Sequence, residues 1–404
     1  MPKPVRILWD AKDSPFLSSG YGVIAKHLLP RLAARYGPEN IVIFAPVFTR
    51  DRTEMFEGMK VLSGIGFDFG EEMVKSHWDN HKPTFLLTCG DWFMFRTIPQ
   101  LAGNDEILWI HWGPYDFLRM PDAMVQNTLK FAWKVVPWTQ WDKQHFLSHG
   151  LKNVTDPIPL GVDTKLWVPK ARSELPNVMA SVGFREDTYN ILCLGANQRR
   201  KYWYEQLEGI SVFRKGHPEI PVRVYFHTWS AGEHDLNQLA VEAHVDDIVK
   251  WAAQYTMSQG GLEERQLAAI MNCADVVLQA NQEGWGLAMS QAQACGVPVV
   301  FLEEGSAAEI VQFGASVPSM GADYTQAAIK PIPHPVGVAG ALEQLLPYRN
   351  QRSEAAIEFT RRNFDWDVVA AKWIELIGHT LMPEHERYSM YIPEPSERLR
   401  AAAA

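Results

Sequence analysis

The segment from Glu283 to Leu302 constrains the fold more than any other part of the chain. It places a carboxylate on a tight glycine loop, starts a helix near Gly286, stops that helix at Gly296 and continues as a buried strand after Pro298. The first free N–H groups of a helix, together with the positive end of its dipole, attract phosphate. The segment therefore predicts an anion site, in which a sugar hydroxyl is a more natural partner than phosphate for Glu283.

Short apolar runs alternate with helical patterns in both halves of the chain. Such alternation is typical of parallel sheets with helices on both faces, so we predict an α/β fold built from two Rossmann-like domains. In the first half, a helix is predicted over residues 23–36 and strands over residues 5–9, 41–44, 84–88, 107–111 and 134–138. In the second half, the predicted strands are residues 190–194, 222–227, 247–251, 275–279 and 297–302.

The length of the chain and the positions of its prolines and glycines predict two domains. The chain has 404 residues, 47% of them hydrophobic, which is enough for two cores. Proline and glycine crowd residues 156–169 and mark a boundary there. We predict a first domain over residues 1–165, a second over residues 166–380, and an extension over residues 381–404 that packs back on the first domain and ends in a disordered tail.

Composition narrows the range of partners and compartments. A net charge of -9 argues against a surface that binds nucleic acid over its whole extent, although a local basic groove stays possible. The cysteines lie in or beside apolar runs with neither metal-site spacing nor a disulfide framework: Cys89, Cys193, Cys273 and Cys295. With no signal peptide at the start and no apolar run near about 18 residues, we predict a soluble, cytoplasmic protein.

The segment Glu283–Leu287, which reads E-G-W-G-L, resembles the donor-site signature of retaining glycosyltransferases of the GT-B fold, the group called family 4. The family pattern is E-G-F-G-L, then a second Glu, then a small-residue helix and G-x-P-V-V. This chain has Gln291 at the position of the second Glu, whose carboxylate in the family holds the ribose of the nucleotide. An amide still forms hydrogen bonds to a diol but carries no charge. The resemblance implies two domains facing one another across a cleft, and nucleotide binding with altered strength or base preference.

A basic loop follows the predicted strand at 190–194. A departing nucleoside diphosphate needs positive charge, and the family has an arginine and a lysine on this loop. We predict phosphate contacts from Arg200 and Lys201, with Arg199 in reserve, and donor binding by Asn197, which stands near the family arginine. A solvated basic loop cap is the alternative interpretation.

The resemblance implies further donor-binding residues. On the loop and helix start after Glu283 they are Gly284, Trp285, Gly286, Leu287 and Gln291. Near the amino terminus, a glycine loop between a strand and a helix supplies Gly20, Tyr21 and Gly22, for which an ordinary flexible turn is the alternative. Glu309 lies in a G-x-x-x-E-I-V segment similar to a family turn, although a favourable position in the first turn of a helix would also explain it.

The resemblance also implies a catalytic set of Glu283, Lys201, Arg200 and His111. His111 ends a predicted strand, where the family has a histidine near the transferred sugar, and a structural histidine is the alternative. Candidates to position an acceptor hydroxyl are Asp13, Asp91 and Asp116, although aspartates after strands are more typical of turns and caps. An aromatic platform for the acceptor is a further possibility in the tryptophan-rich first half, from Trp92, Trp109, Trp112, Trp138 and Trp141.

Asp365 and Asp367 form a D-x-D pattern, which elsewhere holds a metal with a nucleotide sugar. Here the pattern opens a predicted helix over residues 368–377, where Asp is an expected cap, so we interpret it as structural. No other carboxylate cluster or His/Cys spacing indicates a metal. We therefore predict no metal and no cofactor, with the nucleotide sugar as co-substrate and the cations of the basic loop at the leaving group.

The activity that the resemblance implies is transfer of a sugar from a UDP- or GDP-sugar to a hydroxyl acceptor. The anomeric configuration is retained by same-face attack, in which the departing phosphate helps take the acceptor proton. Two alternatives stay open: an inactive GT-B nucleotide-binding subunit, for which Gln291 is the indication, and a sugar-nucleotide epimerase. The predicted acceptor is a glycan or small glycoside; a lipid-linked sugar and a hydroxymethylated DNA base are also compatible, and nucleic acid enters only as an acceptor.

Overall fold

The computed structural model describes residues 4–46, 53–64, 73–95, 97–104, 106–258, 260–325 and 328–380. These residues form two compact units. The first unit holds the described residues up to Tyr115, residues 121–161, and the described residues from Trp366 onwards. The second unit holds residues 116–120 and 162–365. The chain therefore passes between the two units more than once, whereas a single boundary after residue 165 was predicted. The predicted extension over residues 381–404 lies outside the described residues.

The first unit is a seven-stranded sheet in the order β3-β4-β2-β1-β5-β6-β7, in which only β3 runs antiparallel to its neighbour. Its strands are β1 (Ile7–Asp10), β2 (Ile41–Ala45), β3 (Glu54–Phe56), β4 (Met59–Ser63), β5 (Phe85–Cys89), β6 (Trp109–Gly113) and β7 (Lys134–Pro137). Its first helices are α1 (Gly20–Tyr36), α2 (Met73–His81), α3 (Ile98–Gly103), α4 (Asp122–Leu129) and α5 (Gln140–Ser148). The central strands are buried along their whole length, as expected when helices cover both faces of a parallel sheet.

The second unit is a six-stranded parallel sheet in the order β10-β9-β8-β11-β12-β13, with a separate antiparallel hairpin of β14 and β15. Its strands are β8 (Tyr189–Leu194), β9 (Val222–His227), β10 (Val249–Trp251), β11 (Val276–Gln279), β12 (Val299–Leu302), β13 (Gly314–Val317), β14 (Ser319–Thr325) and β15 (Ala328–Pro333). The order reverses beside β8, because the chain continues from β8 to β9 on one side and returns as β11 on the other. That reversal is the switch point at which open α/β sheets bind ligands.

The helices of the second unit lie between and beyond these strands. They are α6 (Pro176–Ser181), α7 (Trp203–Gly216), α8 (Leu236–Glu242), α9 (Gln254–Ser258), α10 (Glu264–Cys273), α11 (Leu287–Ala294), α12 (Ala307–Ile310), α13 (Pro335–Leu345) and α14 (Glu354–Phe364). The last helix, α15 (Trp366–Thr380), returns to the first unit, where Arg31 of α1 forms an ion pair of 2.6 Å with Asp367. None of the helices in the described ranges is long and apolar enough to span a bilayer.

The predicted α/β class is confirmed, and each of the ten predicted strands exists with ends within two residues of those observed. The helix predicted over residues 23–36 begins earlier, at Gly20, because the Ser19 hydroxyl caps it by accepting a hydrogen bond of 3.1 Å from the Gly22 N–H. The glycine loop expected at Gly20–Gly22 is therefore the first turn of a helix. Five strands were not predicted: β3, β4, β13, β14 and β15.

Candidate functional site

Two loops that leave neighbouring strands meet at the switch point of the second unit. The first loop leaves β8 and carries the basic residues Arg199–Lys201 in a short 3-10 turn. The second leaves β11 and carries Glu283. Because β8 and β11 are parallel and paired, their carboxyl ends lie side by side, and residues 82 positions apart in sequence come into contact.

Glu283 is the centre of this site. Its side chain is 12% exposed, and one carboxylate oxygen accepts a hydrogen bond from the ammonium of Lys201, whose side chain is 7% exposed. The same oxygen accepts from the amide groups of Asn281 at 2.8 Å and Gln279 at 3.1 Å. The other oxygen accepts from Arg200 Nη1 at 3.4 Å. The site is thus a buried carboxylate surrounded by two cations and two amide donors.

Burial and neighbouring charges shift the pKa values of both Glu283 and Lys201. Burial raises the pKa of Glu283, but the charges of Lys201 and Arg200 outweigh it and hold that pKa below its usual range. Burial lowers the pKa of Lys201 to about 8. Glu283 opposes this decrease, whereas Arg200 and Lys330 add to it by charge repulsion. At neutral pH the carboxylate is ionised and the ammonium is protonated, so the pair carries opposite full charges.

A buried glutamine joins the two loops. Gln206, on α7, donates a hydrogen bond of 2.7 Å to the carbonyl oxygen of Lys201 and accepts one of 3.1 Å from the N–H of Ala280. Gln206, Gln279 and Asn281 were not among the residues predicted from the sequence. A signal was present for the last two, because polar side chains at the end of an apolar strand lie at the ligand-binding edge of a parallel sheet.

Side-chain hydrogen bonds and ring packing hold the glycine loop after Glu283 in place. The Ser306 hydroxyl lies 2.8 Å from the carbonyl oxygen of Glu283 and 2.9 Å from that of Gly284, so it donates to both with one shared proton. Trp285 is buried, packs edge-on against Phe364 with ring centroids 4.9 Å apart, and donates a hydrogen bond of 3.2 Å to Ser290. Trp285 thus anchors the loop to the protein core, and its contact with the donor stays a prediction.

Gly286 precedes α11 in the left-handed conformation, with φ 75° and ψ 71°. We expect Gly286→Ala to lower the free energy of unfolding by about 1–2 kcal/mol, because a Cβ is disfavoured in this region, and Gly286→Asn to lower it less. The matched control is Gly340→Ala on α13, where a Cβ would meet nothing within 4 Å and should stabilise the helix by about 0.5–1 kcal/mol. Urea unfolding measures each change. Equal stability of the Gly286→Ala and Gly340→Ala proteins would contradict this explanation of the loop.

Other predicted donor residues of the second unit have partners of their own. The side-chain amide of Asn197 donates to the carbonyl oxygens of Trp229 at 3.1 Å and His234 at 2.8 Å, and so fixes a neighbouring loop. Arg199 is exposed and pairs with Asp323 at 2.8 Å. The remaining predicted residues lie on the helices expected: Leu287 and the buried Gln291 on α11, and Glu309 on α12.

In the first unit, Gly22 is required by close packing. A Cβ at this position would lie 2.4 Å from the carbonyl oxygen of Leu17.

Tyr21 donates a hydrogen bond of 3.2 Å from its hydroxyl to Asp91, which follows β5, the strand beside β1. These contacts place Tyr21 and Asp91 at the carboxyl edge of the first sheet, next to its own switch point.

His111 lies inside β6 and not at its end. It is fully buried, and its Nδ1 is hydrogen-bonded to the Thr88 hydroxyl at 3.0 Å. Its Nε2 has no hydrogen-bond partner among the described residues. Burial lowers the pKa of His111 to about 3, so the imidazole is neutral at physiological pH. A neutral ring can donate or accept a hydrogen bond but brings no charge.

The remaining polar and aromatic candidates have structural surroundings. Asp365 accepts a hydrogen bond from the Thr164 hydroxyl, and Asp367 pairs with Arg31 as described, so the two carboxylates of the D-x-D pattern serve separate contacts. Across the part of the chain that the structure describes, no three His, Cys, Asp or Glu side chains are grouped as metal ligands would be. The candidate platform tryptophans are mostly buried in the first core: Trp92, Trp109, Trp112 and Trp138.

Comparison with known proteins points to one family. Residues 189–346 match the family model "Glycosyl transferases group 1". These residues are similar to a group 1 glycosyltransferase domain. A segment of 162 residues is 29% identical to D-inositol 3-phosphate glycosyltransferase of Pseudarthrobacter chlorophenolicus, and it covers 39% of this chain and 36% of that protein. The chain thus matches little more than a third of the length of this curated relative.

Solved structures extend the likeness in fold to most of the chain. Sucrose-phosphate synthase from Thermosynechococcus elongatus superposes with a TM-score of 0.73 at 16% identity, over 94% of this chain and 99% of that one. The Anabaena protein HepE in complex with UDP superposes with a TM-score of 0.67 at 14% identity, over 93% and 100%. These likenesses confirm the predicted GT-B fold. The segment that matches the family model, residues 189–346, contains both loops of the site, Gln291 and the β14–β15 hairpin.

Proposed function

We propose that the protein transfers a sugar from a nucleotide diphosphate sugar to a hydroxyl group of an acceptor, with retention of the anomeric configuration. The observation that carries this proposal is the buried Glu283, held by Lys201 and Arg200 at the switch point of a group 1 glycosyltransferase domain. The structure of HepE with UDP supports a nucleotide donor, because that protein shares the fold.

The cations of the site serve the leaving group. When the bond between sugar and diphosphate breaks, negative charge develops on the phosphate oxygen, and Arg200 and Lys201 stabilise it from a water-poor site. The first N–H groups of α11, behind Gly286, add the positive end of a helix dipole. As the diphosphate attracts these cations, Glu283 is released from part of its pairing and accepts hydrogen bonds from hydroxyls of the transferred sugar.

Glu283 and His111 are both poor proton acceptors, which agrees with the retaining mechanism that the family resemblance implies. Because the pKa of Glu283 is held below its usual range, this carboxylate is a weak base and does not take the acceptor proton. His111 is neutral but enclosed, and it remains a predicted contact of the sugar or the acceptor. As the family resemblance implies, the departing phosphate oxygen takes the acceptor proton on the same face of the sugar, and the protein contributes positioning and charge stabilisation.

The acceptor is a hydroxyl compound, for which we favour a small glycoside, polyol or glycan over a hydroxymethylated DNA base. The names of the similar proteins support this choice, since they contain inositol 3-phosphate and sucrose-phosphate. The net charge of -9 also opposes close approach of a nucleic acid.

An assay of nucleoside diphosphate release tests the proposal. Purified protein is mixed with UDP- and GDP-sugars, with and without a panel of polyols, sugar phosphates, glycosides and hydroxymethylated DNA. A transferase releases nucleoside diphosphate only when donor and acceptor are both present, and proton NMR of the product shows the donor's anomeric configuration. Donor conversion without an acceptor would indicate an epimerase, and nucleotide binding without turnover across the panel would indicate an inactive subunit; either outcome overturns the proposal.

A further inference from the structure

Three buried amide side chains lie on the loop just before Glu283 and form what we call the amide cluster: Gln279, Asn281 and Gln282. Their exposed fractions are 4%, 1% and 2%. The NH2 groups of Gln279 and Asn281 donate to Glu283, but the side-chain carbonyl oxygens of both residues have no hydrogen-bond partner among the described residues. The same is true of both polar atoms of the Gln282 amide. The amide cluster thus holds four buried polar atoms that the described part of the chain leaves unpaired.

The Gln282 side chain is held against the loop that leaves β12. A Cβ at Gly305 of that loop would lie 3.2 Å from Gln282 Cγ and 3.6 Å from its Nε2. The hydroxyl of Ser306, the next residue, joins the same loop to the backbone of Glu283. Since β11 lies between β8 and β12 in the sheet, the loop of Glu283 meets the basic loop on one side and the β12 loop, with Gln282, on the other.

Gln293 on α11 shows how a buried glutamine of this protein is held when its role is structural. It is 0% exposed, and its NH2 group donates to the carbonyl oxygens of Val297 at 3.1 Å and Phe313 at 2.9 Å. Its oxygen accepts hydrogen bonds of 2.8 Å from the N–H groups of Gln312 and Phe313. Gln282 is the same residue type, equally enclosed, with none of these bonds. A buried amide without hydrogen bonds destabilises a fold, so packing does not explain Gln282.

The unpaired atoms define the chemistry of the group that would satisfy them. Three of the four are carbonyl oxygens, which only accept hydrogen bonds, and the fourth is the NH2 nitrogen of Gln282. An ionised phosphate also only accepts, so it would leave the three oxygens unpaired. A hydroxyl both donates and accepts. Neighbouring hydroxyls of a neutral sugar therefore match the amide cluster, and a phosphate does not.

We infer that Gln282 is a sugar-specificity residue: together with Gln279 and Asn281, its amide binds hydroxyl groups of the transferred sugar, so the donor carries a neutral sugar with free hydroxyls at this position. This inference rests on the proposed function and deepens it. It assigns the two sides of the site to different parts of the donor. The diphosphate lies toward Arg200 and Lys201 on the β8 side, and the sugar lies toward the amide cluster.

Calorimetric titration with nucleotides and nucleotide sugars tests the inference. UDP and GDP lack the sugar that the amide cluster is expected to bind, and they are compared with UDP-glucose, UDP-galactose and GDP-mannose. For Gln282→Met, which keeps most of the length and volume of the side chain, we expect unchanged affinity for the nucleoside diphosphate and about tenfold weaker binding of its sugar.

Analogues of the tightest-binding donor, each with one sugar hydroxyl replaced by hydrogen, then identify the hydroxyl that Gln282 contacts. The unaltered protein should bind at least one deoxy analogue about tenfold more weakly than the parent donor, because the analogue leaves the amide unpaired. Gln282→Met should bind that analogue and the parent donor equally well. Such a loss of discrimination at one ring position shows a direct coupling between the hydroxyl and the amide.

Gln293→Met is the matched control, because it makes the same change at a buried glutamine whose hydrogen bonds are all made. It removes four hydrogen bonds, so the urea midpoint should fall while the discrimination against the deoxy analogue stays. Gln282→Met removes only unpaired polar atoms, so its urea midpoint should stay the same or rise. The two variants are thus expected to show opposite patterns of stability and sugar discrimination.

Each other outcome has a definite meaning. A Gln282→Met protein that does not fold, or that has a lower urea midpoint and still rejects the deoxy analogue, would show a structural role and overturn the inference. Unchanged affinity for the nucleotide sugar, or an equal loss for the sugar and its nucleoside diphosphate, would overturn it as well. In these cases the proposed donor site stands. Failure of the unaltered protein to bind UDP, GDP or any of their sugars would overturn the proposed function, and this inference with it.

Discussion

The Lys201→Met variant is expected to transfer sugar about a thousandfold more slowly than the unaltered protein. The ammonium of Lys201 is buried beside Glu283 and has no solvent to replace it when negative charge develops on the leaving diphosphate. Arg200 alone then stabilises the leaving group, from a more exposed position. Methionine keeps most of the length and volume of the lysine side chain, so the loss reports on the charge.

The fold should survive this change, since Glu283 keeps three of its donors: Arg200, Gln279 and Asn281. Release of nucleoside diphosphate under saturating donor measures the rate, and circular dichroism with a thermal melt verifies folding. Lys215→Met, which removes an exposed lysine of α7, serves as the matched control. A folded Lys201→Met protein with near-normal turnover would disprove the role of the basic loop.

The sequence predicts well those site residues whose position follows from the local pattern of their own segment. Glu283 and Lys201 each follow a strand that is buried throughout and mostly apolar, and parallel strands end at a common edge. Their meeting therefore needs only the strand order to be known. The family resemblance assigned both loops to the donor site without giving that order, and a chain with the same strands in another order would have separated them.

The rest depends on contacts that no local pattern encodes. The ion pair of Lys330 with Asp116 joins residues 214 positions apart, through a hairpin whose strands mix glycine, proline and polar residues. Nothing in either segment identifies the other. The start of α1 was missed for a different reason: Gly20 and Gly22 are typical of a loop, but the Ser19 cap and tight packing against Leu17 favour a helix there.

The Glu283→Gln variant is expected to lose both activity and stability, and the second loss distinguishes it from Lys201→Met. Glutamine removes the anion that pairs with the buried Lys201 ammonium, while Arg200 and Lys330 continue to repel that ammonium. Breaking a buried pair from one side costs about 3–5 kcal/mol in the free energy of unfolding. Adding Lys201→Met to Glu283→Gln removes the unpaired ammonium of Lys201. The double variant should therefore recover most of the free energy of unfolding and none of the transfer activity.

The loss in free energy of unfolding caused by Glu283→Gln is expected to change with pH in one direction. Without Glu283 the folded-state pKa of Lys201 falls below about 8, further from its value in the unfolded chain. The unfolded state then binds more protons than the folded state, so the stability of the variant rises with pH relative to the unaltered protein. The deficit is largest in mild acid and shrinks as pH rises through about 8, where Lys201 of the unaltered protein also becomes neutral. Urea unfolding at pH 5.5, 7 and 9 measures it, and a deficit that stays constant across these values would show that Lys201 is not a buried partner of Glu283.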